Sequence, residues 1–192
     1  MPPSTPTILA RWLHIYLSMA SFGIVFFFAA TGLTLNHAEW FTEQQTTVQV
    51  RGSLERTLLT PKVAQADVIS YLRSANHLLG TLNDFRIEDN KCSISFKGPG
   101  YSANVLIDCA TGRYDLTETR MGWMAILNDL HKGRDTGKVW SWMIDLSAGL
   151  LTAVSITGLL LILFLQKKRL SGLLALGAGS VLCYLAYLAW VP

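Results

Sequence analysis

The chain has 192 residues, 51% of them hydrophobic and 15% charged, with a formal net charge of +3. Its apolar residues gather into three long runs, which excludes an ordinary soluble domain. Twelve of the 13 acidic residues lie at 39–138 beside twelve of the 16 basic ones, so the positive excess flanks the apolar runs and gives no support to nucleic-acid binding.

Between Arg11 and Glu39 no side chain carries a full charge. The stretch WLHIYLSMASFGIVFFFAATGLTLNHA exceeds the roughly 20 residues that cross about 30 Å of hydrocarbon. It is too long for a signal peptide's apolar region and runs on into aromatics, so residues 1–38 are predicted to be an N-terminus and a retained first span.

A folded module is predicted at 39–120. Apolar residues at helical spacing over 61–79, with Pro61 near the first turn, predict a helix. Strands are predicted at about 83–88, 92–96 and 102–108, with KGPG at 97–100 forming the turn between the last two. The Asp-x-x-Thr-Gly turn at 108–112 then ends one strand, and the chain resumes. A helix on a small antiparallel sheet is the simplest arrangement. Cys92 and Cys109 flank the hairpin and Cys183 falls in the third run; a bridge between the first two and a pair of free thiols both stay open. There is no CxxC or CxxCH.

Residues 121–138 read as an interfacial helix and linker. MGWMAILNDLH at 121–131 is amphipathic, with Trp123 and methionines on its apolar side, and delivers His131 to the membrane edge. A second span at 139–165 holds one charge, Asp145; a loop, QKKR, occupies 166–169; and a third span at 170–192 holds none. The positive-inside rule places Arg11 and QKKR in the cytoplasm and 39–138 outside. The predicted fold class is an α-helical membrane protein, three transmembrane helices with a small α+β module between spans one and two.

The chain has four histidines. His77 falls in the module helix and reads as solvated. His14 lies near the cytoplasmic start of span one, His37 at its outward end and His131 at the approach to span two, and ionisable groups at membrane depth are costly enough to suggest a site. Imidazole is a standard haem-iron ligand, although any one of these histidines could equally be an interfacial polar residue. His14 and His37 are 23 positions apart, about 35 Å along a helix, and cannot share one iron. His37 and His131 both sit at the outward face and could supply the two axial nitrogens of one haem b. His14 would then need the same histidine of a second copy, or a five-coordinate iron. Asp145 reads as a proton relay or as a partner for a histidine N–H or Arg134. Small residues in span one (Gly23, Ala29, Ala30, Gly32) and span two (Ser147, Ala148, Gly149, Gly158) suit close helix packing or a flat macrocycle. No Ser-His-Asp, zinc, phosphate-cradling or dinucleotide pattern occurs, and no internal repeat.

These motifs resemble the PepSY-associated transmembrane helix family. Its opening helix is similar to span one, with Arg11 and His14 at the start and Thr31, Gly32 and Leu35 at the exit. Its second signature is similar to LNDLHKGRDTGKVWSWMIDLSAGLLTAVSITGLLL, with His131 and a second Thr-Gly at Thr157 and Gly158, and DCATG resembles the turn of the PepSY module. The resemblance covers most of 8–165. It implies a bacterial inner-membrane reductase of ferric iron or ferric siderophores carrying haem b between its spans, with 39–138 periplasmic. Larger relatives have four spans where this chain has three, which makes a homodimer attractive.

The resulting expectation is a haem b protein held by His37, His131 and His14. It would take electrons from a cytoplasmic or quinol donor, reduce ferric iron or a ferric chelate in the periplasm, and feed a ferrous importer. PepSY modules are also associated with regulating peptidases, so the alternatives are a membrane-tethered regulatory protein without a redox centre and an accessory subunit of a transporter or respiratory complex.

Overall fold

The structure is a computed structural model that describes residues 5–59, 63–88 and 90–191. In chain order its elements are α1 (Thr5–Asn36), a 3-10 segment (Ala38–Gln44), β1 (Thr46–Ser53), a 3-10 turn (Arg56–Leu58), α2 (Gln65–Asn76), β2 (Thr81–Glu88), β3 (Lys91–Gly98), β4 (Tyr101–Asp108), β5 (Arg113–Arg120), α3 (Trp123–Lys132), α4 (Gly137–Phe164) and α5 (Arg169–Trp190). Two compact units divide within helices, one ending at Phe27 and resuming at Asp145, the other spanning Phe28–Ile144.

Helices α1, α4 and α5 run for 32, 28 and 22 residues. At 1.5 Å per residue they measure about 48, 42 and 33 Å, each longer than the roughly 30 Å of bilayer hydrocarbon. Large apolar side chains such as Phe22, Phe26, Leu146, Leu174 and Trp190 are exposed along them. Such surface is costly in water and ordinary in lipid. The chain is therefore a membrane protein.

In the second unit the sheet order is β1-β5-β4-β3-β2, antiparallel throughout. Alternation along the strands builds its core. Cys92, Ile94 and Phe96 of β3 face inward with Ala103, Val105 and Ile107 of β4 and Tyr114 and Leu116 of β5. Val68 and Leu72, one turn apart on α2, cover that face and are wholly buried.

The helix and three strands stand close to where the sequence puts them, but the module helix is shorter than 61–79, and Pro61 lies outside the described residues. The strand that resumes after the Asp-x-x-Thr-Gly turn is β5. Strand β1 is an addition to the predicted sheet. It is an edge strand of TTVQVRGS, mostly exposed, and its two valines give too little alternation to mark it. Cys92 and Cys109 are joined as a disulfide, which decides the choice left open between bridge and free thiols.

The Asp-x-x-Thr-Gly turn is held by Asp108, whose Oδ1 accepts from the backbone N–H groups of Ala110 and Thr111 at 2.9 and 3.1 Å. Those two donors hold the Asp108 carboxyl below its ordinary pKa. Gly112 closes the turn at φ +75°, and its carbonyl accepts from Leu54 N–H at 2.8 Å, fastening β1 to the turn.

Candidate functional site

The turn between β3 and β4 does more than reverse the chain. Gly100 has a φ of +63°, and a Cβ there would stand 2.6 Å from Ile126 Cγ1 on α3. Its N–H donates to Asp129 Oδ2 at 2.8 Å and its carbonyl accepts from Met121 N–H at 2.8 Å. The sheet thereby grips α3 two residues before His131. Helix α3 ends in a left-handed Gly133, with Gly133 N–H donating to Leu130 O and Arg134 N–H to Asp129 O. Trp140 Nε1–H donates to Leu130 O at 2.8 Å and ties the start of α4 to that end.

Residues three apart on a helix share a face, and α3 uses this to meet α1 along two polar rungs. His131 Nδ1 lies 2.6 Å from Thr31 Oγ1, and the Asn128 side chain lies 2.9 Å from Thr34 Oγ1. The Phe28 ring packs edge-on against His131 with centroids 5.0 Å apart. Thr31 is only 4% exposed, and a Cβ built on Gly32 would touch His131 Cε1 at 3.6 Å.

The same arrangement recurs within the other unit. His14 Nδ1 lies 3.1 Å from Thr157 Oγ1, and a Cβ on Gly158 would stand 3.0 Å from His14 Cε1. Each Thr-Gly pair therefore receives one histidine: the threonine hydroxyl meets Nδ1 and the bare glycine takes the Cε1 edge of the ring.

His37 lies beyond the last residue of α1 and has different company. Its Nδ1 is 3.3 Å from Glu39 Oε1, and its ring stacks on Trp40 with centroids 4.1 Å apart and planes 7° from parallel. His37 and His131 thus contact separate partners. His77 is exposed at the left-handed end of α2. Asp145 is exposed on α4.

All three membrane-associated histidines are anchored through Nδ1, and among the described residues none of their Nε2 atoms has a hydrogen-bond partner. Among the described residues no group of three or more His, Cys, Asp or Glu gathers to enclose a bare metal ion. An imidazole with one anchored nitrogen remains suited to ligation through the other.

Sequence reasoning singled out His14, His37 and His131 but missed Thr157, Glu39 and Thr31 as their supports, and the Asn128–Thr34 rung beside His131. The signal was present as two polar pairs of equal spacing, Thr31 with Thr34 and Asn128 with His131. A family model described as PepSY_TM-like matches residues 8–192. No curated protein and no solved structure matches the chain.

Proposed function

Because the chain belongs to the PepSY_TM-like family, we propose that it is a haem b-containing reductase of the bacterial inner membrane. It passes electrons outward to ferric iron or a ferric chelate in the periplasm. The observation that carries this reading is the anchoring of three histidines through Nδ1, which leaves Nε2 as the nitrogen that would hold iron.

The donor set fits the group. His131, steered by Thr31, and His37, steered by Glu39, would hold one haem. His14, steered by Thr157, would hold a second, completed by the same histidine of a second copy in a homodimer. Haem b bound in this way supplies a one-electron carrier. The remaining work falls to this chain's own side chains. The Thr and Glu oxygens hold the imidazoles against rotation, Gly158 lets the His14 ring lie close to its helix, and Phe28 packs against one edge of His131.

Arg11 and the QKKR loop favour the cytoplasm, which puts the sheet module in the periplasm, where the substrate is met. Reduction to Fe²⁺ weakens hard oxygen ligation and releases the metal for a ferrous importer. The donor in this reading is a cytoplasmic reductant or a quinol.

Proteoliposomes with a reductant trapped inside and ferric citrate outside test the reading. Fe²⁺ captured by an external ferrous chelator should appear well above the rate of protein-free vesicles, and should fall when His131 is changed to Ala. A rate equal to that of protein-free vesicles, with haem supplied, would refute it.

A further inference from the structure

The two threonines that meet His14 and His131 have a property that packing alone does not require. A hydroxyl carries a single proton and two lone pairs. Thr157 Oγ1 donates that proton to the Val154 carbonyl one turn earlier at 2.9 Å. Its 3.1 Å contact with His14 Nδ1 then needs a proton from the imidazole. Thr31 has the same two kinds of neighbour in the reverse order of distance, with His131 Nδ1 at 2.6 Å and the Phe28 carbonyl at 3.4 Å, long for an O–H···O bond. Its carbonyl bond is the longer of the two, so the argument stands first on Thr157.

We propose that Thr157 and Thr31 are positioning residues that keep the ring proton of His14 and His131 on Nδ1 and leave Nε2 as the bare, ligating nitrogen. A free histidine side chain prefers the opposite tautomer, with its proton on Nε2. A metal-binding imidazole is commonly fixed by an acceptor on its far nitrogen, often a carboxylate or a carbonyl. At Thr157 the acceptor is a hydroxyl whose own proton has the Val154 carbonyl to go to at 2.9 Å. Threonine suits the task because its branched Cβ restricts the side chain to rotamers from which Oγ1 reaches the carbonyl three or four residues back. The glycine that follows keeps the path to the hydroxyl open, since a Cβ at Gly158 would crowd His14 Cε1 at 3.0 Å.

This inference rests on the haem reading for its purpose, and its test needs no haem. The full chain, labelled with ¹⁵N-histidine and held without haem in lipid nanodiscs, is examined by ¹⁵N NMR. The four histidines are assigned by single changes to Gln. His14 and His131 should each show a protonated Nδ1 and a bare Nε2. Thr157→Val should move His14 to the Nε2-protonated form and leave His131 unchanged, Thr31→Val should do the converse, and Thr→Ser should keep the wild-type pattern at both sites. Each Val variant is the folding control for the other, because the untouched histidine reports an intact helix. A wild-type His14 protonated on Nε2, a Thr157→Val change without effect on it, or a Thr31→Val change that moves His14 as well would overturn the inference.

When haem is added, each Val variant should lose about 10–100-fold in affinity, with Ser restoring it. Nδ1-protonated histidines in a protein that takes up no haem would contradict the haem reading and leave the tautomer assignment standing. Haem uptake by Nε2-protonated histidines would overturn the tautomer assignment alone.

Discussion

Alanine at Gly158 and alanine at Gly32 should have different consequences, although both glycines follow a threonine that meets a histidine. A methyl group at Gly158 would stand 3.0 Å from His14 Cε1, 3.5 Å from Nδ1 and 3.8 Å from Nε2. Optimal carbon–carbon contact is about 3.5–4.0 Å, so the ring must retreat by roughly 0.5 Å. The His14–Thr157 contact is already 3.1 Å, and a retreat of that size carries it to the edge of hydrogen bonding. Overpacking of this kind costs about 1–3 kcal/mol. Replacing a helical glycine by alanine returns about 1 kcal/mol, so the net loss is about 0–2 kcal/mol, with the damage concentrated on His14. At Gly32 the methyl would meet His131 Cε1 at 3.6 Å, an ordinary contact. Gly32→Ala should therefore be neutral or stabilising by up to about 1 kcal/mol. Thermal unfolding in detergent, read together with the His14 and His131 ¹⁵N signals, measures both effects. A Gly158→Ala protein with unperturbed His14 signals, or a Gly32→Ala protein that disturbs His131 as strongly, would refute the reasoning.

Gly100→Ala meets both a left-handed backbone and Ile126 Cγ1 at 2.6 Å, so it should destabilise by about 1–3 kcal/mol and raise hydrogen exchange in α3 more than in the sheet. The Asp108 carboxyl is depressed below 3.8 in the folded module, so its contribution to stability is present above that value and is lost as pH falls through the folded pKa. Asp108→Asn keeps an acceptor oxygen for the turn, and its stability should depend less on pH at the acid end, as acid titration followed by circular dichroism would show. Reducing the Cys92–Cys109 bridge, which links residues 17 apart, should cost the module about 3 kcal/mol in chemical denaturation.

The long apolar runs and the strong alternation of CSISF made the helices and the central strands legible, because each is a local pattern. The edge strand TTVQVRGS was not, since its partner strand at Arg113–Arg120 lies some sixty residues further on and its own face is polar. The supports of the histidines were hidden for the same reason. Thr157 meets His14 across 143 positions and Thr31 meets His131 across 100, and no spacing rule pairs residues at such separations. The Thr-Gly pairs were visible as motifs, but their chemistry became readable only once the helices were packed. The grip of Gly100 on Asp129 was equally out of reach, because it joins a turn that local chemistry explains to a helix that amphipathicity explains.

Haem ligation by these histidines is tested most directly by the reduced-minus-oxidised visible spectrum of the protein purified after expression with adequate haem, compared with His14→Ala, His37→Ala, His131→Ala and His77→Ala. A b-type signal that falls with each of the first three changes and survives the fourth is the expected result. A colourless wild-type protein, or a signal indifferent to His131, would contradict it.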